Sequence, residues 1–223
     1  MTNRVCKNGN IHLIGIPAKY RLAVSVHAFE GLSEAMQILK YKQHINVAIF
    51  GAEAWEIHPK MHLAAITFGG SSRIDFKICF SKKNIDTIIK TELPLTMYHE
   101  VSHVVRVKAV GDWNTLLDIF IDEGIGCFIE QSILPKRKIL YIQKIKNEQA
   151  LWHEVKEQLL QKRSISEQLK LQGEWFYASG ELPNWIGYRL GYLIVQKFMS
   201  KHHITLDKLA RTSSKQILEG SGL

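Results

Sequence analysis

The alternation of apolar and polar positions is plainest in residues 73–80. In RIDFKICF, Ile74, Phe76, Ile78 and Phe80 alternate with Arg73, Asp75, Lys77 and Cys79. That period of two gives a strand one apolar face and one mostly polar face. Two shorter runs precede it. Residues 47–50 predict a short buried strand, and HLAAITF (62–68) predicts another that ends at the Gly69-Gly70 turn. Residues 20–29 read as a strand or as the approach to a helix, whereas 30–42 place apolar groups at helical spacing.

Beyond residue 84 the period lengthens to that of helices. The pattern predicts a short helix over 84–90 and a second over about 93–109, with Pro94 tolerated in its first turn. Gly111-Asp112 makes a break, and a third helix covers about 115–134 and stops at Pro135. Residues 136–162 predict a long charged amphipathic helix, and 164–172 a shorter one. A loop holding Gly173, Gly180 and Pro183 leads to Asn184, an N-cap for a helix through about Met199. The last helix covers about 205–218. Strands followed by helices predict an α+β fold: one domain over 1–223, with an α/β lobe at 1–92 and a helical lobe at 93–223.

Composition removes several classes of function. No stretch approaches the roughly 18 consecutive apolar residues of a membrane span. The run IHLIGIP is short, broken by a proline and followed by no small-residue cleavage site, so a cytoplasmic location is expected. Cys6, Cys79 and Cys127 are odd in number and widely spaced, which argues for buried free thiols over a disulfide framework. The formal charge of +8 could draw an acidic partner, an anionic surface or nucleic acid. The basic clusters are short, however (Lys82-Lys83, Lys136-Arg137-Lys138, Lys144 and Lys146), and carry no interleaved aromatics. Specific nucleic-acid binding is not expected. The C-terminal ITLDKLARTSSKQILEGS has the outline of a helix-turn-helix but lacks the glycine-containing turn of a DNA reader.

The chemistry concentrates in His99-Glu100-Val101-Ser102-His103, an HExxH on a predicted helix. Four residues advance a helix about 6 Å and about 400°, so both imidazoles leave one face a turn apart and can meet one cation. Glu100 lies about 100° round from His99, placed to take a proton from a water near the ion instead of binding it. Ten histidines and fifteen glutamates in 223 residues produce this motif by chance in roughly three per cent of such chains, so a third ligand is needed. Glu123 supplies it. The 104–122 interval holds a turn near Gly111 and a returning helix, and antiparallel helices bring Glu123 towards the two histidines. Gly124 and Gly126 are poor helix formers that make sense if this face approaches another helix or the metal closely.

HEVSH followed by DEGIGCFIE resembles the gluzincin metallopeptidases, whose third ligand is the glutamate of an Asn/Asp-Glu-Gly/Ala motif. Taken with LPNWIGYRLGYLIVQKF, the chain resembles more closely a bacterial family of predicted zinc-dependent proteases in the peptidase-MA-like group, over roughly residues 45–218. That resemblance implies a zincin-like fold, a Zn2+ cofactor, a peptide or protein substrate and hydrolysis of amide bonds. One departure matters. Thermolysin-like enzymes place an acidic residue four positions after the glutamate ligand, where this chain has Cys127. The partner that orients a ligand histidine must come from elsewhere, with Asp118, Glu130 and backbone carbonyls as candidates.

A tetrahedral intermediate needs an oxyanion donor, and Tyr188 is the leading candidate, beside the Gly187 and Gly191 pair that lets its helix pack tightly. Arg189, His153, Tyr177 and the His202-His203 pair are alternatives. The remaining histidines (His12, His27, His44, His58 and His62) show no ligand spacing. Many zincins bind peptide as a strand added beside the metal helix, a role that 73–80 could fill unless it lies inside the sheet. Two other readings stand beside metal-assisted hydrolysis: a noncatalytic zincin-like binding or regulatory module, and a basic nucleic-acid-binding protein.

Overall fold

The computed structural model describes residues 4–6, 8–58, 60–61, 63–161, 163–177, 182 and 184–223. His62, Gly180 and Pro183, used in the sequence reading, lie outside them. The chain divides into two compact units, Met1–Ala109 and Val110–Leu223. The division comes one helix later than the boundary at 92/93 read from the pattern, because the HExxH helix belongs with the sheet.

In the first unit, five strands form one mixed sheet: β1 (Arg4–Cys6), β2 (Gly9–Ile14), β3 (Ile45–Gly51), β4 (Leu63–Phe68) and β5 (Arg73–Ile78). Their order is β1-β2-β3-β5-β4. β2, β3 and β5 run parallel, and β1 and β4 close the two edges antiparallel to their neighbours. β5 therefore lies inside the sheet, with β3 on one side and β4 on the other, and cannot accept an added strand. The edge beside it belongs to β4. Neighbours brought in from distant sequence decide this, so the alternation within 73–80 could not reveal it.

Register puts Ile11, Leu13, Val47, Ile49, Ile74, Phe76, Ile78 and Leu63 on one apolar face, all of them buried. On the opposite face of β4, Ile66 and Phe68 are exposed. α1 (Ala18–Ile38) connects β2 to β3 and packs on β2. It absorbs residues 20–29, which are helical: Val24, Ala28, Leu32, Ala35 and Met36 repeat at helical spacing and are all buried.

A continuous helical stretch leads to the motif. α2 (Ile85–Thr87) passes through a π turn (Ile88–Glu92) into α3 (Leu93–Val110). The N–H of Leu93 bonds to the carbonyl of Ile88, five residues back. Pro94 accounts for the widening, since it lacks an N–H and its ring crowds the carbonyl four residues before it. Pro94 thus lies in the first turn of α3, as the sequence pattern implied, but no break separates α3 from the turn before it. The proline sits against α1, where a Cβ on Gly31 would lie 2.7 Å from the Pro94 Cα. The Tyr98 hydroxyl adds a hydrogen bond to Glu34 of α1, and burial, then that carboxylate, hold its proton in place. These contacts lock the N-terminal half of α3 to α1.

The second unit is helical: α4 (Leu116–Ile133), α5 (Glu148–Lys156), α6 (Ile165–Tyr177), α7 (Ile186–His202), α8 (Leu206–Ala210) and α9 (Ser214–Ser221). Thr115 caps α4 reciprocally with Asp118, whose Oδ2 also accepts from the Asn114 and Thr115 N–H groups. Thr115→Ala should lower stability by about 1 kcal/mol, read as a shifted urea midpoint at constant m.

The long helix expected over 136–162 is broken. A 3-10 turn (Leu140–Ile142) precedes α5, because Ile139 and Ile142 enter a buried cluster with Cys127 and Tyr192. The Tyr141 hydroxyl there hydrogen-bonds Glu130, at 2.6 and 2.7 Å from its two oxygens. Glycine 173 lies within α6, not in a loop, and Trp185, with φ 62°, replaces Asn184 as the residue before α7. The expected 205–218 helix is two helices, because Ser213 forms a capping box with Gln216 and starts α9 afresh. No helix among the described residues is long and apolar enough to cross a membrane.

Candidate active site

α3 is nearly all buried from Leu93 to Arg106, and within that stretch lie His99, Glu100 and His103, only 5–6% exposed. The 3.6-residue period brings the two imidazoles to one face, with ring centroids 4.7 Å apart and planes at 77°. Candidate ligand atoms of His99, Glu100 and His103 all lie within 4.8 Å of one another. Two ligands about 2.1 Å from one zinc ion lie at most about 4.2 Å apart, a span close to that of this cluster. Two imidazoles one helical turn apart, withdrawn from bulk water, are donors that fit zinc.

Two bonds hold the motif's local geometry. The Ser102 hydroxyl donates to the His99 carbonyl at 2.6 Å, within the helix. The Thr67 hydroxyl, on β4, lies 2.7 Å from Glu100 Oε2 and 3.2 Å from the Glu100 carbonyl. Sequence reasoning missed Thr67. The available signal was a hydroxyl on the strand parity otherwise occupied by Leu63 and Ala65, the face that turns inwards.

Glu123 lies in the second unit, on α4, and is 7% exposed. Its neighbour Asp122 accepts a hydrogen bond from Trp113 Nε1 at 2.9 Å. Gly124 has the reason anticipated for it: a Cβ there would lie 2.3 Å from the backbone carbon of Gly191 on α7. The same crossing sets Tyr188 near Glu123. The Tyr188 ring packs against Phe176 and Tyr141, with centroids at 5.1 and 5.3 Å. Its phenol is pushed well above the ordinary range, first by burial and then by the negative charge of Glu123.

Arg189 and His202, two of the alternative donors, have partners of their own. The Arg189 guanidinium makes a two-pronged ion pair with Glu148, at 2.6 and 3.0 Å, and donates to the Ile142 carbonyl. His202 stacks on Phe198 and contacts the Gly220 carbonyl. His203 ends α7 with φ 46°, His153 is exposed, and Tyr177 is 62% exposed. Of the candidate histidine partners, Asp118 serves the α4 cap and accepts from Ser214, and Glu130 receives Tyr141. Cys79 and Cys127 are free and buried, and burial, then Glu130 and Glu123, raise the Cys127 thiol well above its usual range.

Residues 26–219 match the model of the family described as "Predicted Zn-dependent protease (DUF2268)". The chain belongs to this family. No curated protein and no solved structure matches it. The DUF2268 match spans the HExxH helix, the Glu123-Gly124 crossing and the Tyr188 helix. Among the described residues, the buried His99-Glu100-His103 trio of this DUF2268 chain is a group that could hold a metal ion.

Proposed function

We propose that the protein is a zinc metallopeptidase of the gluzincin type, with His99, His103 and Glu123 as metal ligands and Glu100 as general base. The observation that carries the reading is the buried trio: two histidines one helical turn apart with a carboxylate between them, all within 4.8 Å. The Glu123 assignment rests on the DEG motif that follows the HExxH.

Bound to these residues, zinc would polarise the scissile carbonyl and acidify water towards a pKa of about 7. The chain's own groups do the rest. Glu100 accepts the proton of the attacking water and later delivers it to the leaving amine, a double role open to a carboxylate held beside the reacting atoms. Tyr188 donates to the substrate oxygen as that oxygen gains negative charge. β4 is the strand edge an extended peptide would join through main-chain hydrogen bonds, and Thr67 of the same strand touches Glu100. A peptide lying along β4 would run beside the base.

The test is metal stoichiometry with activity. The purified chain should hold about one zinc, cleave members of an internally quenched peptide library, lose that activity to a zinc chelator and regain it with added zinc. A chain that neither retains zinc nor gains it on incubation would rule out the reading.

A further inference from the structure

Glu100 is joined to the sheet by a hydroxyl that the proposed chemistry does not require. Thr67 Oγ1 lies within hydrogen-bonding distance of two Glu100 oxygens, 2.7 Å from Oε2 and 3.2 Å from the carbonyl. A hydroxyl carries one proton. The shorter contact, to a carboxylate, is charge-assisted and takes it. We propose that Thr67 is a positioning residue for the general base, its hydroxyl fixing the plane in which the Glu100 carboxylate meets the attacking water. The inference rests on Glu100 being that base.

The sequence and fold explain why threonine suits the task. A glutamate side chain has several rotatable bonds, and its productive orientation is one of many. A β-branched residue in a strand has little χ1 freedom, so its hydroxyl is aimed before the bond forms. Register sets Thr67 opposite Ile74, on the inward face of β4 that also carries Leu63 and Ala65. A second tie lies just beyond the strand, where Lys108 Nζ donates to the Gly70 carbonyl at 3.2 Å. β4 and α3 are thus joined at two places, and the hydroxyl is held by strand and helix together. The precision demanded is high, since base and reacting proton must lie within hydrogen-bond reach and a misplacement of about 1 Å can cost about 100-fold in rate.

A bond that merely braces the fold would predict different behaviour, and Thr67→Val and Thr67→Ser separate the two. Valine keeps the β-branch and volume and removes the hydroxyl, whereas serine keeps the hydroxyl. On the best-cleaved peptide of the quenched library, Thr67→Val should lower kcat by about 10- to 100-fold, the range for a lost hydrogen bond to a charged group. KM should stay within about twofold, zinc per chain should match the wild type, and the chain should remain folded at the assay temperature. Thr67→Ser should recover kcat to within about threefold of wild type. Thr67→Val with wild-type kcat would overturn the assignment and leave the protease reading intact. So would a Thr67→Ser variant as impaired as valine, or a Thr67→Val variant that loses zinc in proportion to activity. A zinc-loaded wild-type chain that cleaves nothing in the library would overturn the protease reading and this assignment with it.

Discussion

Glutamine in place of Glu100 should leave zinc bound and lower turnover by about 100- to 10,000-fold, the range that general-base catalysis contributes. The amide has the shape of the carboxylate but cannot accept the water's proton. Its carbonyl oxygen can still receive the Thr67 hydroxyl, which sits 2.7 Å from the present Oε2, so local geometry is retained. Glu100 is 6% exposed, and a neutral amide is cheaper to bury than an ionised carboxylate. The variant should therefore fold at least as well as the parent, and lost turnover would report chemistry instead of unfolding. His99→Ala is the counterpart. It removes an imidazole from the pair whose centroids lie 4.7 Å apart, and zinc content should fall with activity. Zinc by elemental analysis and turnover on one peptide, measured for both variants, separate metal binding from proton transfer. Full turnover in Glu100→Gln would exclude Glu100 as base, and stoichiometric zinc in His99→Ala would exclude His99 as ligand.

The legible parts of this molecule are those governed by local period. The HExxH was readable as a site because helical geometry alone brings His99 and His103 to one face, whatever the rest of the chain does. The 115–134 helix was readable from its helical period and its closing proline, and the structure returns it as Leu116–Ile133, with Thr115 as its cap. Where distant partners decide, the pattern was silent or misled. RIDFKICF alternates as a half-exposed strand should, and Ile74, Phe76 and Ile78 are buried, but its period could not say that β3 and β4 flank it. Residues 136–162 are charged at helical spacing, but Tyr141 is drawn to Glu130 and Ile139 to Cys127, and the helix breaks. Thr67 was silent for the same reason, since its partner lies 33 residues away on another element. Gly124 is the intermediate case: its presence announced a close approach, and only the coordinates named Gly191 as what it approaches.

That crossing yields the second large effect. A Cβ on Gly191 would lie 2.0 Å from the carbonyl oxygen of Phe120 and 3.0 Å from its carbon. Both are backbone atoms of α4, so no rotamer change relieves the overlap and the helices must move apart. Alanine is the better helix former by about 1 kcal/mol, which acts in the opposite direction. Overpacking a close-packed interior costs about 1–3 kcal/mol and more where backbone blocks relaxation, so the clash should win. Gly191→Ala is expected to lower stability by about 2 kcal/mol or more, read as a drop in urea midpoint. Gly187→Ala is the milder comparison, because its Cβ would meet only the Phe176 ring, at 2.6 Å, and a side chain can turn aside where a main chain cannot. The displacement also has a functional reading. Gly124, the α4 side of the same crossing, directly follows Glu123, so parting α4 from α7 moves the proposed third ligand. The folded fraction of Gly191→Ala should therefore bind zinc more weakly than wild type. A Gly191→Ala chain with an unchanged midpoint would show that the two helices do not depend on this contact.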